Sequence, residues 1–166
     1  LKTEFYGLIG FEIYKNYDIL FDYNSNLITL IEPSHTKTFI ENSFAKNNLY
    51  ELPLTMNAHI ATVTVSIEKE DLKMGIDCGA EANLIAEQHL IQYEKYCNTI
   101  THDTLKGADN TTKVVTSGKL NSLQCGKKQF KNTKTVFSDI THLNDGYKIN
   151  IDGLIGFEIL SQQKTI

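Results

Sequence analysis

The chain has 166 residues, enough for one full hydrophobic core or for one core and part of another. Its formal charge is −4 and all 16 basic residues are lysine, so the forked guanidinium groups that suit phosphates and base edges are missing and nucleic acid is not an expected partner. An apolar share of 41% contains no run of about 18 apolar residues, which argues against a membrane partner, and the opening LKTEFYGLIG lacks the basic-then-apolar order of a signal peptide.

Read in chain order, the first feature is the heptapeptide GLIGFEI at residues 7–13, which returns letter for letter at residues 153–159. After the first copy, Ile19 and Phe21, then Leu27, Ile28 and Leu30, predict two short strands, and DYNSN between them is turn chemistry, so a hairpin is expected. Residues 34–48, SHTKTFIENSFAKNN, follow Pro33, are polar and keep no sustained period; they read as a linker. HIATVTVSI then alternates, EKED turns the chain, and LKMGID returns as a second strand that runs straight into DCGA.

From Ala82 to Tyr96 the spacing of Leu84, Ile85, Leu90 and Tyr93 predicts a helix. TITHDTL, TKVVTSG, KLNSLQCG and KQFKNTKTVFSDI are rich in Thr and Val, punctuated by Gly and Asn, and predict further short strands. THLNDGYKIN reads as a loop, and IDGLIGFEILSQQKTI as an apolar strand entering a short helix. In both copies of GLIG, glycine suits a crossing where backbone passes close to backbone.

Cys78, Cys97 and Cys125 lie far apart, form no C-x-x-C pair and are odd in number, so small free thiols are expected and no metal site or cofactor is. G-x-S-x-G, H-E-x-x-H and P-loop patterns are all missing, which leaves serine hydrolase, zincin and nucleotide-binding chemistry without support. Asp77 taken alone is a turn carboxylate at a strand end.

The order of parts is hairpin, Asp-x-Gly-Ala, helix, several strands, then apolar-apolar-Gly before another helix. MGIDCGAEANLI and INIDGLIGFEIL resemble the active-site and closing signatures of the retropepsin-like and pepsin-like aspartic proteases. The resemblance covers roughly residues 49–166, with the opening segment as a second partial match. It implies an all-β, closed β-barrel lobe with one or two short helices, in which the loop carrying Asp77, Cys78, Gly79 and Ala80 is threaded past the strand Leu154, Ile155 and Gly156. It assigns Asp77 to the catalytic position and places Gly107, Ala108, Asp109 and Asn110 in a flap over the substrate, where a plain surface turn fits as well.

Cys78 departs from the family pattern, which has Thr or Ser there; a thiol is a weak hydrogen-bonding group for bracing such a loop. The domain organisation implied is residues 1–32 as the tail of a preceding lobe, 33–48 as a linker, and 49–166 as a lobe without its final hairpin, for which residues 18–31 could substitute. The function implied is an aspartic-type endopeptidase, or a fragment of a two-lobed one, acting on a peptide or protein substrate with water activated by paired aspartates. The second Asp would come from a homodimer or from a missing N-terminal lobe. The alternative is a catalytically inactive peptide-binding or interaction module on the same scaffold. An exported setting, bacterial periplasm or cell surface, is suggested by the resemblance alone.

Overall fold

The structure, a computed structural model, describes residues 7, 9–45, 49–106 and 112–166. It divides into two compact units: Leu1–Leu49 with Gln163–Ile166, and Tyr50–Gln162.

The first unit opens with a single helical turn, α1 (Phe11–Tyr14), preceded by Gly10 in an extended conformation. The expected hairpin follows as β1 (Asp18–Asp22) and β2 (Leu27–Ile31), paired antiparallel from Asp18↔Ile31 to Asp22↔Leu27. Asn26 closes its turn at φ 53°, a left-handed conformation that Asn tolerates. The other edge of β1 receives the chain end: Phe21 and Thr165 exchange backbone hydrogen bonds of 2.8 and 3.1 Å. Beside this bridge, Lys164 Nζ lies 2.7 Å from the buried carboxylate of Asp22.

The segment read as a linker is instead helical, forming α2 (Pro33–Ser43). Proline stands in its first turn, where a missing N–H costs nothing and the fixed φ suits the helix. Thr36 Oγ1 donates to Asp18 Oδ2 at 2.5 Å and ties α2 to β1.

The second unit is the all-β lobe. Its strands are β3 (Thr55–Asn57), β4 (Ile60–Ile67), β5 (Glu70–Ile76), β6 (Asn83–Ala86), β7 (Cys97–Lys106), β8 (Thr112–Cys125), β9 (Lys128–Ser138) and β10 (Gly153–Ile155). Hydrogen-bonded neighbours run in the order β3-β4-β5-β10-β6-β9-β8-β7. β4 also pairs with β8 through Val65↔Cys125 and Ser66↔Gln124, so six of the strands close on themselves. Closure removes most free edges and encloses a core. Val63, Val65 and Ile67 of β4 lie on its inner side with Leu72 and Met74 of β5 and, further round, Ile85, Leu120, Leu123, Phe130, Phe137 and Ile155, all buried.

Three sequence expectations are corrected here. The helix predicted from Ala82 begins as β6, because Asn83, Ile85 and Ala86 are buried between β9, parallel on one side, and β10, antiparallel on the other. A short run buried on both faces shows no period that separates strand from helix. Only after it does the chain turn, through a 3₁₀ turn (Glu87–His89), α3 (Leu90–Tyr93) and a second 3₁₀ turn (Glu94–Tyr96). TKVVTSG and KLNSLQCG form one strand, β8, since Gly118 does not break it but gives room to Cys97 and Ile100, each within about 3 Å of where its Cβ would stand. The predicted loop after β9 contains α4 (Thr141–Tyr147), whose start is tied by Asp139 Oδ1, acceptor of the Thr141 N–H at 2.9 Å and of its hydroxyl at 2.6 Å. The last helix, α5 (Phe157–Leu160), follows β10 as expected.

Candidate functional site

Asp77 stands one residue beyond the end of β5, where that strand's parallel partner, β10, also ends. Leu154 pairs with Gly75 and Ile155 with Ile76, and the pairing runs one bond further: the Asp77 N–H donates to the Ile155 carbonyl at 3.0 Å. The Asp77 backbone is thus fixed by the sheet while its side chain sits in the turn. There Oδ1 accepts the Gly79 N–H at 2.9 Å, and the Ala80 N–H reaches the Asp77 carbonyl at 3.3 Å. Such an Asx turn orients one carboxylate oxygen inward and leaves Oδ2 for other partners. Asp77 is half-buried, and Cys78 and Gly79 are exposed, so the turn faces solvent rather than the barrel core.

The strand Leu154, Ile155 and Gly156 does lie against this turn. The Phe157 N–H donates to the Ala80 carbonyl at 2.7 Å, and a Cβ on Gly156 would stand 2.5 Å from the Ala82 oxygen and 2.7 Å from that of Ala80. Gly153 is as tightly held, 2.1 Å from the Leu84 oxygen by the same measure. Distances under 3 Å to backbone leave no place for a side chain, which explains the glycine spacing in this copy of the repeat.

Asn83 is a residue that the sequence reading missed. It is 1% exposed, its Oδ1 accepts the Gly156 N–H at 3.1 Å and its Nδ2 donates to the Lys134 carbonyl at 3.3 Å. One side chain therefore joins β6, β9 and the end of β10 behind the Asp77 turn. At the other end of β10, Asp152 is a second unforeseen clamp. Its Oδ2 accepts the Lys73 N–H at 2.8 Å and its Oδ1 lies 3.1 Å from His89 Nε2. A single Asn in an apolar run, or Asp before Gly, carries no periodic signal by which to find such roles.

The thiols are not poised for nucleophilic work. Cys78, although exposed as a residue, has its sulfur partly desolvated, and this, with the negative charge of Asp77, pushes its pKa up. Burial, with a contribution from Glu94, holds Cys97 at about 11, and burial raises Cys125. A nucleophilic cysteine needs the opposite shift.

The proposed flap residues Gly107, Ala108, Asp109 and Asn110 lie outside the described residues. What is described on either side is a long antiparallel hairpin, β7 with β8, whose last pair is Lys106↔Thr112. A cleft of about 350 Å³ is lined by Ala86, Glu87, Lys113, Asp139, Thr141 and Asn144 among others, and so lies between β6, this hairpin and α4. Asp77 does not line it. Among the described residues there is no cluster of three or more His, Cys, Asp or Glu side chains arranged to hold a metal, and no helix is long and apolar enough to cross a membrane.

No protein-family model matches the chain, and no curated protein matches it. Among solved structures, its backbone is similar to that of a retropepsin-like aspartic protease from Rickettsia conorii, with a TM-score of 0.49 and 17% identity, covering 69% of this chain and 92% of that one. It is also similar to EIAV protease complexed with the inhibitor HBY-793, with a TM-score of 0.45 and 18% identity, covering 71% and 93%.

Proposed function

We propose that Tyr50–Gln162 is one half of an aspartic-type endopeptidase site, with Asp77 as one of two carboxylates that activate a water against a peptide bond. The observation that carries this reading is the Asp77 turn itself. A carboxylate is fixed at a strand end by the Gly79 N–H, on a backbone locked to Ile155, at the exposed rim of a closed barrel. A rigid, half-buried carboxylate with one oxygen uncommitted is what a general base requires.

Two such groups held close cannot both ionise cheaply, so one keeps a proton and polarises the carbonyl while the other deprotonates water. The attack forms the tetrahedral diol, and its collapse needs the proton passed to the leaving amine. One Asp cannot hold both states at once. D-x-G occurs once in this chain, at Asp77, so the second carboxylate belongs to another lobe. The β7–β8 hairpin would cover an extended peptide bound by strand pairing.

The alternative, a peptide-binding module without catalysis, is favoured by one feature: Cys78 stands where a hydroxyl would brace the two loops, and its thiol is a weak hydrogen-bonding group. Digestion of an unfolded protein by the intact native protein from acidic to neutral pH, with products read by mass spectrometry, separates the two. The endopeptidase predicts internal cleavage with a bell-shaped pH dependence. Binding of the unfolded chain without any cleavage across that range would establish the module.

A further inference from the structure

The hairpin of β8 and β9 concentrates the positive charge of an acidic chain. Residues 112–138 hold six lysines and neither Asp nor Glu, a balance of +6 within a net charge of −4, which leaves −10 for the remainder. Lys119, Lys127, Lys131 and Lys134 are exposed, and among the described residues none of these four has a carboxylate within 4 Å. The other two are engaged: Lys113 lies 4.0 Å from Glu87, and Lys128 donates to the Gln162 carbonyl at 3.3 Å.

Strand register forces two of these charges together. Lys119 of β8 stands directly opposite Lys134 of β9. Side chains so placed have Cβ atoms about 5 Å apart, and like charges there repel, so the rung costs stability until an anion lies over it. Two carboxylates in the neighbourhood have other tasks. Asp103, close enough to feel the charge of Lys134, accepts the hydroxyls of Ser117 and Thr101, and Glu158 Oε1 accepts the Lys134 backbone N–H at 3.2 Å.

Along β9 a lysine returns at every third residue, at Lys128, Lys131 and Lys134, over a length of about 20 Å. Asn132, at φ 54°, interrupts the alternation of faces, so that Lys131 and Asn132 are exposed side by side. A row of that length exceeds a single small anion and matches an extended chain carrying several carboxylates. Nucleic acid is a poorer match: the hairpin offers no guanidinium, and its aromatic rings, Phe130 and Phe137, are each 1% exposed and so closed to base stacking.

We infer that the outer side of the β8–β9 hairpin docks an acidic polypeptide segment, extended along Lys119, Lys131 and Lys134 with its Asp and Glu carboxylates over the lysine rung. The exposed amides of Asn121 and Asn132 supply donors between the charges. Each exposed ion pair contributes little, so the affinity is a sum over several and falls with salt. The docking does not depend on Asp77 or on catalysis.

Fluorescence anisotropy of the intact native protein with a labelled peptide of about eight glutamates, ~26 Å when extended, tests it. Binding is expected at about 0.01 M salt, where the Debye length is about 30 Å, and is expected to weaken by about tenfold or more at 0.15 M. Lys119→Gln combined with Lys134→Gln is expected to weaken it by about tenfold or more, with a melting temperature no lower than the parent's because the rung is relieved. Lys131→Gln is expected to weaken it less, and Lys37→Gln, on α2, not at all. No binding at low salt, or binding equal in the parent and the double variant, would overturn the inference. Tighter binding of a single-stranded oligonucleotide of equal charge, or of vesicles containing phosphatidylserine, would also overturn it by assigning the face to another partner. So would self-association that the double variant abolishes, since the acidic segment would then be the chain's own.

Discussion

Asn83 sits behind the Asp77 turn with both ends of its amide engaged. Truncation leaves the Gly156 N–H and the Lys134 carbonyl short of partners inside the lobe, so Asn83→Ala is expected to lower stability by about 2 kcal/mol or more. Denaturant unfolding would show it, and an unchanged midpoint would remove Asn83 from the support of the site. Cys78 makes the opposite prediction. Its raised pKa keeps it a thiol at neutral pH, so Cys78→Ser should retain cleavage, where a thiol nucleophile would lose it. At this scale the sequence was partly legible. Asp77, Gly79 and Gly156 are visible because close packing and turn geometry demand those residue types at fixed spacing. Asn83 and Asp152 are not, because a polar side chain that satisfies distant backbone groups leaves no local pattern.

Among the elements, the hairpin β1–β2 and its bridge to Thr165 carry a pH signature. The hydrogen bond from Lys164, ahead of those from Ser25, lowers the pKa of Asp22. A lowered carboxylate pKa contributes stability above its unfolded value and loses it as pH falls through the folded value, so this contribution is present at neutral pH and gone in acid. The melting temperature of Lys164→Met should therefore fall below that of the parent at about pH 7 and meet it at about pH 2, below the ordinary range for aspartate. A difference that persists unchanged in acid would mean the pair does no electrostatic work. Hairpins such as β4–β5 were read correctly because alternation fixes which face is buried. The strand β6 and the helices α2 and α4 were misread for separate reasons. β6 is buried on both faces, while α2 and α4 are short and polar, with few apolar residues to mark a face.

For the molecule as a whole, the closure of β4 onto β8 makes a barrel whose rim carries a single Asp-x-Gly turn, and a water-activating pair needs two. The strands of the lobe were legible from the succession of short alternating segments, and the all-β class from them together with the family resemblance; the joining of Gln163–Ile166 to the first unit was not, because that pairing is made by four residues far away in the chain. The most direct measurement is the kcat/KM of the intact native protein on an unfolded substrate, compared with that of its Asp77→Asn variant, alongside the melting temperature of each. The catalytic reading predicts a loss of about a thousandfold or more with melting unchanged, since the amide keeps the volume and an oxygen for the Gly79 N–H but cannot take a proton from water. Equal rates for the two proteins would contradict it.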